Sequence, residues 1–340
     1  MACTHQMSTS KCTPALRQIS FSRNANFELE LHNTAQERKR ISQGQIIRQG
    51  GACMGWLERG PSKLQETTER KSIPSGVWDK CSSCGEIVLT SDLLSNLRVC
   101  PLCGFHHRIS AAERIHLLTD ADSFHEWDAE LYSADPLEFN DGKPYAEKLA
   151  KQRHQSGQND AIITGAGHLR GTPLAIGALD FFWMGGSMGT VVGERLSRLF
   201  MRAAHLKLPV VVVSSSGGAR MHEGILSLMQ MAKTCARVAE HRKHGLPYIS
   251  IMCDPTTGGV AASFAMLGDI NLAEPRATIG FAGRRVIENT IRQKLPDDFQ
   301  TAEFLQTHGM LDRIVKRQDL PDVLFRILTI LGFGPHKESP

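Results

Sequence analysis

Residues 209–220 read PVVVVSSSGGAR, and residues 247–263 read PYISIMCDPTTGGVAAS. Each is a short apolar run, opened by proline and rich in Val or Ile, that ends in a glycine pair. Runs of this kind are strands buried on both faces, as in a parallel sheet. The pairs Gly217-Gly218 and Gly258-Gly259 stand where each strand turns into a helical stretch, read as Ala219–His244 after the first and Val260–Leu267 after the second. The first N–H groups of a helix have no intrahelical partner, and without a Cβ another group can approach them closely. One glycine pair is an ordinary tight turn. Two pairs at equivalent points of successive units mark a site at the carboxyl ends of the strands.

Outward from these runs the pattern repeats. Ala161–Thr164 and Pro173–Leu179 read as strands, Met184–Gly189 (MGGSMG) is a third glycine-rich turn, and Thr190–Leu206 is helical. Downstream, Ala277–Phe281 reads as a strand, a helix starts near Val286, and Leu320–Leu331 is an amphipathic helix. Strands alternating with helices predict an α/β fold with a largely parallel sheet covered by helices. Gly185, Gly186 and Gly189 are able to bring backbone amides to a phosphate, although the turn has neither a P-loop lysine nor GxGxxG spacing. The sequence is read as lacking a GxSxG nucleophile elbow, and none of the 14 histidines has a recognisable triad context. An enzyme built on these glycines stabilises charge with backbone N–H groups and takes its base from elsewhere.

Upstream lies a different signal. Cys81-Ser-Ser-Cys84 and Cys100-Pro-Leu-Cys103 are two CxxC knuckles separated by residues 85–99, the spacing of a four-cysteine zinc ribbon. Gly85 and Gly104 directly follow each knuckle, where a permissive backbone is needed. Four thiolates close the tetrahedral shell, so the metal is structural, and His106 and His107 are read as exposed polar residues. The other five of the nine cysteines form no disulfide framework, which favours a reducing compartment.

The 340 residues suffice for about two domains. No apolar run approaches the roughly 18 residues of a membrane-spanning helix. Formal charge is +4, yet residues 1–53 hold seven of the 39 basic and three of the 35 acidic residues, leaving 32 of each in the body. That extension is read as disordered or non-native; a transit peptide and an upstream start before Met54 are the competing explanations. The expected layout continues with 54–110 carrying the ribbon at 77–108, a helical connector at 111–158, the main domain at 159–334 and a tail at 335–340.

The segments CSSC, CPLC, FFWMGGSMG, SSSGGARMHEGILSLMQMAKT, DPTTGGVAASFAMLGD and IGFAGRRVIENT together resemble the carboxyltransferase β subunit family of bacterial and plastid acetyl-CoA carboxylase, over about 54–334. The resemblance implies a crotonase-like superhelix behind an N-terminal zinc ribbon. It implies transfer of a carboxyl group from carboxybiotin to acetyl-CoA, giving malonyl-CoA for fatty acid biosynthesis, with the freed biotin anion as base. It makes Gly258 and Gly259 the oxyanion donors, Gly217 and Gly218 the wall of the CoA site, and Gly185, Gly186 and Gly189 a turn beside the CoA. The implied zinc is one structural Zn2+ on Cys81, Cys84, Cys100 and Cys103. Biotin arrives on a separate carrier, in keeping with the absence of an MKM motif in the chain. The implied partners are a carboxyltransferase α subunit in an α2β2 heterotetramer, the biotin carboxyl carrier protein and biotin carboxylase. The implied location is the bacterial cytoplasm, with the plastid stroma as second reading.

Three details stay open at this stage. Met221, Met229 and Met231 read as core or interface rather than a cofactor box. Arg284-Arg285 departs from the family, which commonly has proline before the arginine, and Arg284 reads as a solvated helix start or a partner for CoA phosphate. Two alternatives accompany the main reading: a malonate decarboxylase β-type subunit, against which the ribbon argues, and a zinc-ribbon nucleic-acid-binding protein, for which a neutral body offers no basic surface.

Overall fold

The computed structural model describes residues 76–334, and the readings of 1–53, 54–75 and 335–340 lie outside them. The ribbon pairs β1 (Trp78–Lys80) with β2 (Ile87–Leu89) antiparallel and continues into α1 (Thr90–Ser95). The polypeptide then runs through α2 (Ala111–Leu118), β3 (His125–Glu126) and α3 (Tyr145–Ser156), so the stretch 111–158 is helical only near its two ends. The sequence SAAE at 110–113 starts α2 with a capping box: Ser110 Oγ accepts the Glu113 N–H and the Glu113 carboxylate accepts the Ser110 N–H.

The remaining strands are β4 (Ile162–Leu169), β5 (Thr172–Leu179), β6 (Val210–Ser216), β7 (Tyr248–Thr257), β8 (Ile270–Ala273), β9 (Ile279–Gly280) and β10 (Arg313–Ile314). Their helices are α4 (Thr190–Leu206), α5 (Gly224–Lys243), α6 (Gly258–Ala261), α7 (Arg284–Ile291), α8 (Ala302–Thr307) and α9 (Leu320–Ile330). The sheet runs β10-β8-β7-β6-β5-β4-β3, with β9 beside the end of β7. Strands β5 to β8 and β10 are parallel, whereas β3 and β4 join antiparallel, β4 and β5 forming a hairpin across Arg170-Gly171.

The valine run explains the layers. Val210 and Val212 enter one apolar core with Val192, Leu196 and Phe200 of α4 and Val238 of α5. Val211 and Val213 enter the other, with Ile115 and Leu118 of α2 and Leu320, Leu324 and Leu328 of α9. Period-two side chains with helices on both faces require apolar residues at every position, which is why the strand reads as a continuous run.

Two expected helices differ. The stretch Ala219–His244 breaks at Gly224 (φ 48°), with a 3-10 turn at Met221–Glu223 before α5. The expected Val260–Leu267 helix is a single turn, α6, followed by a 3-10 turn at Phe264–Met266. In both places buried polar groups bind across the chain and displace the local helical ladder; Ser250 Oγ, for example, donates to the Ala265 carbonyl at 2.6 Å.

Candidate active site and metal centre

All three glycine-rich turns converge at the carboxyl ends of β5, β6 and β7. The Gly217 N–H donates to the Gly185 carbonyl (2.9 Å), the Met188 N–H to the Gly218 carbonyl (2.8 Å) and the Arg220 N–H to the Met188 carbonyl (2.9 Å). Gly218 (φ 117°) and Gly258 (φ 61°) are packed backbone to backbone. A Cβ on Gly186 would run into the Ser215 carbonyl oxygen, and one on Gly189 would stand 2.5 Å from Glu223 Oε1 and 2.6 Å from Arg220 Nη1. Gly186 and Gly189 therefore serve close packing within the protein. Gly185, with no atom near its added Cβ, faces open space.

The amides of the second pair are unequal. The Gly258 N–H donates to the Phe281 carbonyl at 3.0 Å. Gly259 is second in α6, among the amides that a helix leaves without an intrahelical partner. Because α6 is one turn long, any charge stabilisation rests on individual N–H groups and not on an extended helix dipole. Met231 packs beneath the pair, its Sδ 3.2 Å from a Cβ built on Gly259, while Met221 and Met229 are exposed with Ile225 and Leu228.

Below the glycines lies a buried charge network that the sequence did not advertise. Arg220, 1% exposed, donates to Asp160 Oδ1 at 2.6 Å, Glu223 Oε1 at 3.1 Å and the Ser187 carbonyl at 2.8 Å, and its guanidinium lies 4.7 Å from the Trp183 ring centre. Burial pulls the guanidinium pKa down, but the Asp160 carboxylate outweighs it and the net shift is upward. Glu223 Oε2 accepts the Thr190 N–H at 2.6 Å, which joins the network to the first residue of α4. Sequence reading also misses that residues 185–189 spell Gly-x-Ser-x-Gly, the pattern of a nucleophile elbow. That role fails here: the Ser187 hydroxyl accepts from Arg220 Nε at 3.1 Å and bonds no histidine among the described residues.

At the ribbon, Cys81, Cys84, Cys100 and Cys103 gather with their four sulfur atoms within 4.8 Å of one another. Tetrahedral Zn–S bonds of about 2.3 Å set sulfurs roughly 3.8 Å apart, and Cys81 and Cys103 stand at 3.7 Å. The two knuckles share one bonding pattern. Cys81 N–H donates to Glu86 O and Gly85 N–H to Cys81 O; Cys100 N–H donates to Phe105 O and Gly104 N–H to Cys100 O. Gly85 (φ 78°) and Gly104 (φ 70°) supply the left-handed residue that each turn requires.

His106 is not the exposed residue that was expected. It is buried with Nδ1 3.7 Å from Glu274 Oε2, beside a carboxylate that also binds the guanidinium groups of Arg114 and Arg317. Burial would raise the Glu274 pKa, but Arg114 and these hydrogen bonds hold it well below the ordinary carboxylate value. Arg317 also donates to the Leu97 carbonyl at 2.7 Å, which seats the ribbon on the main domain. Burial pushes the neighbouring Cys253 thiol up to about 12, so it is inert. Arg284 is no free phosphate ligand: it is bound to Glu288 and to the carbonyls of Leu295, Pro296 and Asp297.

Comparison with known proteins matches this geometry. Residues 107–309 match the carboxyl transferase domain family and residues 78–103 the acetyl-CoA carboxylase zinc finger domain. The acetyl-coenzyme A carboxylase carboxyl transferase subunit beta of Citrifermentans bemidjiense is 53% identical over 82% of this chain and 99% of its own length. That of Gloeobacter violaceus is 54% identical over 81% of this chain and 91% of its own. Among solved structures, transcarboxylase 12S with methylmalonyl-coenzyme A and methylmalonic acid bound superposes with a TM-score of 0.56 at 23% identity, over 70% of this chain and 42% of the other. A Pseudomonas malonate decarboxylase hetero-tetramer in complex with malonate gives 0.55 at 23%, over 68% and 84%. At such identities these two speak for the crotonase-like fold alone. With the ribbon and the carboxyl transferase domain both matched, and relatives above half identity along most of its length, the chain belongs to the family of acetyl-coenzyme A carboxylase carboxyl transferase β subunits.

Proposed function

We propose that the chain is the carboxyltransferase β component of an acetyl-CoA carboxylase, and that the convergence of Gly217-Gly218 with Gly258-Gly259 is its share of the reaction centre. The observation carrying this reading is the contact between Gly218 and Gly258, which places the start of α6 against the neighbouring glycine turn with no side chain between. Carboxybiotin, brought on a separate carrier, supplies the carboxyl group and, once that has left, the base. The protein's own task is to hold the thioester oxygen as negative charge develops on it. The Gly259 N–H is the donor for that oxygen, and Gly258, whose own N–H is held by Phe281, fixes the turn. A cavity of about 520 Å³ adjoins the Gly185 turn at Met184; its lining carries Lys143, Lys148 and Lys151 against Glu147, with Lys148 paired to Asp141, and the remaining positive charge suits the phosphates of a CoA thioester.

The partners we assign are a carboxyltransferase α subunit, the biotin carrier protein and biotin carboxylase. Support for an α partner comes from the exposed side chains of Met221, in the turn before α5, and of Ile225, Leu228 and Met229 at helical spacing on α5. None of the described cysteines forms a disulfide, which fits a reducing compartment, the bacterial cytoplasm first and the plastid stroma second. The test is co-purification with an α subunit followed by malonyl-CoA/biotin exchange, with propionyl-CoA for comparison. Exchange by the complex supports the reading, and a purified complex without exchange overturns it.

A further inference from the structure

We infer that Arg108, the last basic residue of the ribbon, is a positioning residue for the reaction centre, clamping two of its turns at once. Its guanidinium reaches Asp254 through two contacts, Nε to the main-chain carbonyl (3.3 Å) and Nη2 to Oδ2 (3.2 Å). On its other side it stacks 4.0 Å from the centre of the Phe181 ring. Both neighbours lead into glycine turns: Asp254 precedes Gly258-Gly259 by four residues and Phe181 precedes Gly185 by four.

Asp254 is itself a junction. Its Oδ1 accepts the Thr278 N–H (3.1 Å) and its carbonyl also accepts the Ser215 hydroxyl (3.2 Å), which ties the exit of β7 to the end of β6 and to the approach of β9. Beyond it, Thr256 and Thr257 send their hydroxyls to the Ser214 and Ser216 carbonyls, carrying that alignment to Gly258. With a planar fork and a stacking face, arginine can fix a carbonyl, a carboxylate and an aromatic ring in one geometry, which lysine cannot. The Arg108–Asp254 pair is partly exposed, with side-chain exposures of 41% and 27%, so it contributes little to folding stability. Arg108 and Asp254 also line a cavity of about 470 Å³ shared with ribbon residues and Phe182.

This inference rests on the glycine turns being the reaction centre. It is tested in the complex reconstituted with the α subunit, by malonyl-CoA/biotin exchange kinetics on Arg108→Ala, Arg108→Lys, Asp254→Asn and the double variant Arg108→Ala/Asp254→Asn. Displacing reacting groups by about 1 Å costs up to about 100-fold in rate, so a partial release of the turns should lower kcat by about 10- to 100-fold. We expect that loss for Arg108→Ala, with KM for malonyl-CoA within about twofold, zinc content unchanged and partial recovery in Arg108→Lys; the double variant should be no worse than the poorer single one. Wild-type kcat in zinc-loaded Arg108→Ala overturns the clamp, as does a loss confined to KM or losses that multiply in the double variant. Gly258→Ala measured beside them separates the two readings. Full kcat there removes the glycine assignment and with it the premise of the clamp, whereas a loss there beside wild-type kcat in Arg108→Ala overturns the clamp alone.

Discussion

Gly218 and Gly258 form a reciprocal contact: a Cβ on either would lie 3.1–3.2 Å from the other's Cα. Both backbones are left-handed, so each position excludes a side chain on two independent grounds. Gly258→Ala is expected to destabilise the fold by about 1–3 kcal/mol and, by shifting the Gly259 N–H, to lower exchange roughly 100-fold. Gly171→Ala, at the β4–β5 hairpin with φ 77° and nothing within 4 Å, carries only the backbone strain and should keep its turnover. Urea unfolding and exchange rates on both variants check the contrast; equal turnover losses would count against the site.

Glu274 lies between two buried guanidinium groups. Glu274→Gln leaves both without a carboxylate and should cost about 3–5 kcal/mol at neutral pH. Its folded pKa is held below the ordinary 4.5, so its stabilising contribution is complete above that value and is lost as pH falls below it. Urea midpoints from pH 7 to pH 3 should fall more steeply for the wild type than for the variant.

Cys81 and Cys100 are the two buried sulfurs of the ribbon and share its small core with Val88. Either Cys81→Ser or Cys100→Ser should abolish the bound zinc ion, and hydrogen exchange should rise across residues 78–106 while the valine strand β6 stays protected. Metal analysis and exchange mass spectrometry decide it, and retained zinc in both variants would contradict the four-sulfur centre.

Arg220→Met strands Asp160 and Glu223 as buried carboxylates, both at most 1% exposed. The expected loss is about 3–5 kcal/mol, and adding Asp160→Leu should return part of it. A double variant whose loss equals the sum of the singles would show that the pair is not coupled.

Much of this architecture is legible in the sequence because its dominant signal is apolar patterning. Strand β6 and helix α4 lie where the valine run and the amphipathic stretch Thr190–Leu206 put them, and the cysteine knuckles with Gly85 and Gly104 name a ribbon by local chemistry alone. What stays hidden depends on partners distant along the chain. Arg220 and Glu223 fall within the stretch Ala219–His244 that reads as one helix, yet Asp160, sixty residues earlier, draws Arg220 inside and the helix starts only at Gly224. His106 reads as a spare polar residue until Glu274 is folded against it. The unequal duties of Gly258 and Gly259 depend on Phe281, which no motif connects to them.

The sheet stops at each margin with a strand of only two residues, His125–Glu126 on one side and Arg313–Ile314 on the other. Such short margins, each bearing charge, give an incoming polypeptide almost no ladder to extend. Among the described residues, association is therefore left to side-chain surfaces and not to extension of the sheet.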